Sequence, residues 1–191
     1  MASPKRIAHI VYRTRRFEEM IDWYQQVFEA KVHHQNPVIA FLSYDAEHHR
    51  IAFLNLSALD PDGDPHRNQS APGVDHVAYT FDNLGDLVAT YERLKAIGIE
   101  PYWPIHHGIT ISIYYKDPDG NRFEFQVDCF DTQEAGVDYL QSAAFEANPI
   151  GVDIDFNDVV SAYHAGVPTT EILRMPSGAQ APLPPGHGIG A

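Results

Sequence analysis

The feature that most constrains the fold of this chain is an internal repeat. The segment His9-Ile10-Val11-Tyr12 matches His76-Val77-Ala78-Tyr79, and Arg50-Ile51-Ala52-Phe53 matches Arg122-Phe123-Glu124-Phe125. The offset between the copies is 67 residues at the first pair of segments and 72 at the second, so the second copy has longer loops. Because a solenoid needs at least three copies, the repeat predicts two similar supersecondary units.

Hydrophobic periodicity predicts the same order of elements in both copies. Apolar residues at helical spacing predict a helix over 17–28 and another over 84–97, with Gly98 ending the second. The other apolar runs predict strands at 7–12, 30–34, 38–44 and 49–56 in the first copy and at 74–80, 99–103, 109–116 and 121–127 in the second. Each copy is therefore predicted to be a βαβββ module, and the predicted fold class is α+β.

Proline and glycine clusters predict the domain boundaries. Breakers such as Pro72-Gly73 predict a linker between the copies, and the repeat ends near residue 130. In the extension that follows, helices are predicted at 132–147 and 157–165, and the Pro-, Gly- and Ala-rich end from 175 to 191 is expected to be poorly ordered. The predicted division is module one 5–57, linker 58–73 and module two 74–129 within a domain 1–130, then a C-terminal extension 131–191.

Composition excludes several classes of function. A formal net charge of −13 argues against binding to nucleic acid, because contact with phosphates needs a basic surface. No apolar run reaches the roughly 20 residues of a membrane span, and the mean hydropathy is −0.29. With Cys129 as its single cysteine, the chain cannot form an internal disulfide, so a cytoplasmic location is expected.

Three residues in predicted strands are candidate metal ligands. His9 and His76 occupy the same position in the two copies, and Glu124 lies in the last strand of the second copy. A lone histidine in a strand is more often a core or surface residue, but the repeat relation favours a shared role for this pair. Two imidazoles and one carboxylate leave one face of an octahedron open, as in non-haem Fe(II) oxygenases; the same ligands accept Mn(II).

Two βαβββ modules with metal-binding residues at these positions resemble the vicinal oxygen chelate superfamily. It includes glyoxalase I, fosfomycin-resistance proteins and the type I extradiol catechol dioxygenases. The resemblance covers residues 5 to 130. It implies that each module rolls into half of a half-open barrel around a metal site, with His9, His76 and Glu124 as ligands.

The segment from Ile105 to Glu124 is similar to the signature of extradiol dioxygenases. The signature permits isoleucine but not proline two residues before its histidine, which favours His107 over His106. The matching positions are His107, Ile113, Tyr114, Asp117, Pro118, Gly120 and Glu124.

The resemblance also implies roles for residues around the metal. His107 would be the general acid/base and Tyr114 would donate a hydrogen bond to the ionised substrate oxygen. Alternation along the predicted strand 109–116 puts Thr110, Ser112 and Tyr114 on one face. The residues that bind the rest of the substrate stay unassigned, with His106, Thr110 and Ser112 as weak candidates.

The resemblance implies an Fe(II)-dependent extradiol dioxygenase. It would cleave a catechol-type ring with O2, and the apolar composition favours a hydrophobic catechol such as a biphenyl-diol. Small members of the family commonly associate, so a homo-oligomer is expected. One alternative is another metal-dependent enzyme of this fold, such as a lyase, an epimerase or a fosfomycin-type thiol transferase. Ala52 argues against this alternative, because glyoxalase I has a glutamate ligand at that position. The other is a non-catalytic protein that binds aromatic ligands.

One departure from the family concerns a further histidine. Larger two-domain extradiol enzymes carry another active-site histidine shortly before the second metal-binding histidine. Here positions 61 and 62 are Pro61 and Asp62, and the nearest candidate is His66, ten residues before His76. The sequence assigns no role to His66, and it leaves open whether the C-terminal extension closes the active site or forms a subunit interface.

Overall fold

The computed structural model describes residues 7, 9–62 and 74–184, so His66, most of the predicted linker and residues 185–191 lie outside the described chain. Two compact units are present: Met1–Asn68 with Asp117–Asn121, and Gln69–Lys116 with Arg122–Ala191. In the described ranges, no helix is both long enough and apolar enough to span a bilayer.

The first unit contains one βαβββ module. Its elements are β1 (Ile10–Thr14), α1 (Phe17–Phe28), β2 (Lys31–Gln35), β3 (Ile39–Ser43), β4 (Ile51–Asn55) and the short α2 (Leu56–Leu59). The sheet order is β1-β4-β3-β2, with β1 parallel to β4 and the other pairs antiparallel. Helix α1 buries one apolar stripe, as its spacing predicts, and each such side chain contributes about 1.5–3 kcal/mol. The stripe consists of Phe17, Met20, Ile21, Tyr24 and Val27.

The second unit repeats this order and continues into the extension. Its elements are β5 (His76–Thr80), α3 (Leu84–Ala96), β6 (Trp103–His106), β7 (Thr110–Lys116), β8 (Arg122–Asp128), α4 (Gln133–Leu140), α5 (Ala143–Ala147), β9 (Val152–Asp153), α6 (Phe156–His164) and α7 (Thr169–Ile172). The sheet order is β5-β8-β7-β6-β9, so the extension adds the edge strand β9 to the module. The predicted α+β class is confirmed.

Strand register reproduces the internal repeat. Ile10 pairs with Ile51 in the first unit, and Val77 pairs with Phe123 in the second. These are the residues that the sequence repeat matches, and the separation along the chain rises from 41 to 46 residues. The longer loops of the second copy therefore leave the pairing of its first and last strands unchanged.

Several predicted element bounds are wrong. The strand predicted at 99–103 is Trp103–His106, because the chain first reaches β7 where Tyr102 N–H donates to Tyr114 O. The helix predicted at 132–147 is two helices, since Ser142 accepts a hydrogen bond from Phe145 N–H and so starts α5 as an N-cap. Neither β9 nor α7 was predicted, because two to four residues are too short to show a period.

The end of the chain is ordered further than its composition predicts. Residues 175–184 contain no helix or strand, yet Ala181 is only 5% exposed. The N–H of Ala181 donates to Gly151 O at 2.8 Å. Ala181 belongs to a buried cluster with Trp103 and Tyr114, and Leu183 packs against this cluster. The expectation of poor order is therefore wrong for this segment.

The two long module helices begin differently. Asn83 caps α3, since its side chain accepts a hydrogen bond from Asp86 N–H at 3.0 Å. The corresponding residue of α1 is Arg16, whose side chain makes no capping bond. Gly98 follows the end of α3 with φ +79°, the left-handed conformation that glycine adopts without strain, as predicted.

Candidate active site

Antiparallel pairing of β7 with β8 positions the signature residues of the second unit. Tyr114 lies directly opposite Glu124 in the register. Thr110 and Ser112 share the face of Tyr114, as alternation predicts, and their hydroxyl oxygens are 2.9 Å apart. This face carries an acidic group and three hydroxyl groups, all from buried residues.

Parallel pairing of β5 with β8 brings His76 beside Glu124. The Nε2 of His76 lies 3.1 Å from Oε2 of Glu124, whose side chain is 7% exposed. Burial by itself would raise the pKa of Glu124, but His76, Ser112 and His107 together hold that pKa below its usual value. The Glu124 carboxylate, with help from Asp75, in turn raises the pKa of His76 against the desolvation of its ring.

A second carboxylate orients the other side of the His76 ring. The Nδ1–H of His76 donates to Oδ2 of Asp75 at 2.9 Å, and Arg122 Nη1–H donates to Oδ1 of the same carboxylate at 2.6 Å. Because a carboxylate only accepts hydrogen bonds, it fixes the hydrogen on Nδ1 and leaves Nε2 facing Glu124. Sequence reasoning missed Asp75 and Arg122; the signal was Asp75 directly before His76 and an arginine at matching positions of both copies.

His107 lies in the loop between β6 and β7, as predicted, and reaches the same site. Its Nε2 is 3.1 Å from the hydroxyl oxygen of Tyr114 and 3.9 Å from Oε1 of Glu124. Burial, and next the nearby Glu124 carboxylate, raise the pKa of Tyr114, so its hydroxyl stays protonated. The Tyr114 ring packs 5.0 Å from that of Trp103. The structure thus brings His76, His107, Tyr114 and Glu124 together.

His106, a weak substrate-binding candidate, is buried, with 1% exposure. Its Nδ1 accepts from Gly108 N–H at 3.0 Å, and its Nε2–H donates to Leu173 O at 3.2 Å. Burial lowers the pKa of His106 to about 4, so the ring is neutral. Its Nε2 also lies 3.8 Å from the Cys129 sulfur, and burial raises the pKa of this thiol to about 12.

The donor atoms of the second unit fit a divalent metal ion. Octahedral ligands about 2.1 Å from a metal lie about 3 Å apart when adjacent, and the His76 and Glu124 donor atoms are 3.1 Å apart. His9 belongs to the first unit, just before β1, where its ring centroid lies 4.5 Å from that of His49. Across residues 7, 9–62 and 74–184, no group of three or more His, Cys, Asp or Glu side chains is placed so that it could hold a metal ion.

The chain belongs to the Glyoxalase/Bleomycin resistance protein/Dioxygenase superfamily, whose model matches residues 6–125. It is 46% identical to biphenyl-2,3-diol 1,2-dioxygenase 2 of Rhodococcus globerulus over 172 residues, 90% of this chain and 87% of that protein. It is 40% identical to biphenyl-2,3-diol 1,2-dioxygenase 3 of the same organism, over 90% of this chain and 89% of the relative. The resemblance to extradiol ring-cleaving dioxygenases that the signature predicts is confirmed.

A solved structure shows the same fold at low identity. A glyoxalase/bleomycin resistance protein/dioxygenase from Nocardioides superposes with a TM-score of 0.52 and 20% identity, over 67% of this chain and 86% of that one. This likeness supports the fold alone.

Proposed function

We propose that this extradiol dioxygenase uses Fe(II) and O2 to open the ring of a hydrophobic catechol of the biphenyl-2,3-diol type. The observation that carries the proposal is the grouping of His76, Glu124, His107 and Tyr114 on one face of the second unit. The two relatives named as biphenyl-2,3-diol dioxygenases support the choice of substrate class.

His9, His76 and Glu124 are the proposed metal ligands. The 3.1 Å separation of the His76 and Glu124 donor atoms supports two of them, and the equivalence of His9 and His76 in the repeat supports the third. When bound, iron would supply one-electron chemistry with O2 and would lower the pKa of hydroxyl groups that it coordinates. Mn(II) suits the same donor atoms.

His107 and Tyr114 are the proposed catalytic residues that move and hold protons. The Nε2 of His107 faces the site while its Nδ1 is bonded elsewhere, so Nε2 is the atom that would accept and return a substrate proton. The Tyr114 hydroxyl stays protonated and would donate to an ionised substrate oxygen. One such preorganised donor typically contributes about 2.7–4 kcal/mol to transition-state stabilisation.

An apolar wall next to these groups supports a hydrophobic substrate. Trp103 and Tyr114 form a buried cluster with Ile105 and Ala181. Tyr102 packs against it, and the centroid of its ring is 6.2 Å from that of Tyr114. Aromatic side chains pack favourably against a further aromatic ring, which suits a diol that carries an apolar substituent.

Oxygen uptake tests this proposal. Metal-free protein is reconstituted with Fe(II) under anaerobic conditions and mixed with biphenyl-2,3-diol or catechol in air, with Zn(II)-loaded protein as the control. We expect one O2 consumed per diol and a yellow ring-opened product from the iron form alone. If several catechols give neither uptake nor colour while Mn(II) supports a different reaction, the protein belongs to another catalytic branch of the superfamily. We also propose that the chain forms a homo-oligomer, which sedimentation of the same sample checks.

A further inference from the structure

The C-terminal extension contacts both histidines that precede β7, although it lies beyond the region that the family model matches. The carbonyl oxygen of Ile150 lies 2.5 Å from Nδ1 of His107, and the carbonyl oxygen of Leu173 lies 3.2 Å from Nε2 of His106. The family model ends at residue 125, whereas the match to each dioxygenase relative spans 172 residues and must include part of the extension.

The turn Asn148–Gly151 holds the Ile150 carbonyl in place through two reciprocal hydrogen bonds. The Asn148 side chain donates through Nδ2 to Gly151 O at 3.0 Å and accepts through Oδ1 from Gly151 N–H at 2.8 Å. Directly after the turn, β9 pairs with β6. Hydrogen bonds therefore hold the turn together internally, and the pairing of β9 attaches it to the strand that ends at His106.

Gly151 allows this turn to approach the histidines closely. Its φ is +113°, in the region that favours glycine. A Cβ at this position would lie 2.3 Å from the His106 carbonyl oxygen and 2.8 Å from the His107 Cα. Both neighbours are backbone atoms that cannot swing aside, so any side chain here would push the Ile150 carbonyl away from His107.

The contact with Ile150 determines how the His107 ring is protonated. A carbonyl oxygen only accepts hydrogen bonds, so the Nδ1 of His107 must carry the hydrogen. In the neutral ring Nε2 then has a free lone pair, and this atom faces the Tyr114 hydroxyl at 3.1 Å. A ring held at only one nitrogen could adopt the other tautomer or rotate, and either change would remove the acceptor from the site.

We propose that the turn Asn148–Gly151 positions His107, with Asn148 as the positioning residue that presents the Ile150 carbonyl to Nδ1. The extension thereby sets the tautomer and orientation in which Nε2 faces the reacting groups. The effect on catalysis rests on the proposed function, whereas the position of the hydrogen on Nδ1 of His107 does not. Asn148 acts only through His107 and the backbone of Ile150.

The test compares Asn148→Ala with Asn83→Ala in the full-length protein. Both changes remove an asparagine side chain that bonds backbone groups of the second unit, but Asn83 caps α3. The first measurement is ¹⁵N NMR of histidine-labelled, metal-free protein. We expect wild type and Asn83→Ala to have the His107 hydrogen on Nδ1, and Asn148→Ala to have a mixture of tautomers.

The second measurement is turnover with Fe(II). The kcat of Asn148→Ala should fall at least about tenfold with little change in KM, whereas the kcat of Asn83→Ala should stay near that of the wild type.

Two results would overturn the proposal: a wild-type His107 with its hydrogen on Nε2, or an Asn148→Ala variant with unchanged tautomer and kcat. The wild-type spectrum decides even if the variant fails to fold. If tautomer mixing appears but no form of the protein consumes O2 with catechols, the positioning role stands and the proposed function fails. Gly151→Ala is a second variant that should shift the tautomer in the same direction.

Discussion

The two copies of the βαβββ module share a framework and differ in chemistry at matching positions. In the last strand of the first copy, Ala52 lies opposite Val11, and in the second copy Glu124 lies opposite Ala78. His76 is held between two carboxylates, whereas the ring of His9 lies against that of His49. The same backbone therefore accepts either residue set, and the carboxylates of Asp75 and Glu124, which only the second copy has beside its histidine, distinguish the proposed site.

Making the second copy resemble the first should have the largest effect. Glu124→Ala introduces the residue found at position 52, and removes a proposed ligand worth several kcal/mol in metal binding and transition-state stabilisation. We expect loss of bound iron and a decrease in kcat of more than about a thousandfold, measured by iron analysis and oxygen uptake. Gln126→Ala, two residues along β8, is the matched control and should keep iron. Full iron occupancy in Glu124→Ala would contradict the assignment of this residue.

The second unit should lose stability in acid because of His106. In the folded protein the pKa of His106 is about 4, below its usual value of 6.5. The stability that the neutral buried ring contributes to the fold is therefore complete above pH 6.5 and is lost as the pH falls towards 4. The shift corresponds to about 3 kcal/mol. Urea unfolding of wild type and His106→Asn between pH 7 and pH 4 checks this. The wild type should lose stability relative to the variant over this range, and a constant difference would argue against a buried neutral imidazole.

Loss of the carboxylate that orients His76 should weaken metal binding without abolishing it. Asp75→Asn keeps the shape of the side chain but removes the charge that accepts from Nδ1 and pairs with Arg122. Such groups typically contribute 10–100-fold to metal affinity, and titration of the metal-free protein with Fe(II) measures the loss. Glu92→Gln removes one charge from the exposed pair with His164 and serves as the control. Equal affinities of the two variants would mean that Asp75 does not act on the ligand.

The smallest expected difference concerns the starts of the module helices. Asn83→Ala should cost about 1 kcal/mol of stability because α3 loses its cap. Arg16→Ala removes no capping bond from α1. The contacts that it does remove, a hydrogen bond to Pro118 O and ion pairs with Glu19 and Asp119, are on the surface and should contribute less than the cap. Thermal unfolding of both variants measures the contrast. Equal losses would show that the cap of α3 contributes nothing beyond an ordinary surface residue.

An element of the fold could be predicted where its residue pattern lies within a short stretch of the sequence. The module order was predictable, because the apolar stripe of α1 and the repeated His-apolar-apolar-Tyr segments show periods within a few residues. Strand β9 was not, since its two residues join β6 only through tertiary contact. Part of the site, Glu124 with Tyr114, followed from strand alternation. The Ile150 carbonyl at His107 could not be predicted, because a backbone contact across 43 residues leaves no residue pattern.

Calorimetric titration of metal-free protein with Fe(II), under anaerobic conditions, tests the central claim most directly. The proposed ligands of the metal ion are His9, His76 and Glu124. We predict one Fe(II) per wild-type chain and binding weakened at least about a hundredfold by His9→Ala and by His76→Ala alike. If His9→Ala bound iron as the wild type does, the two copies would not share a metal ion and the account would be wrong.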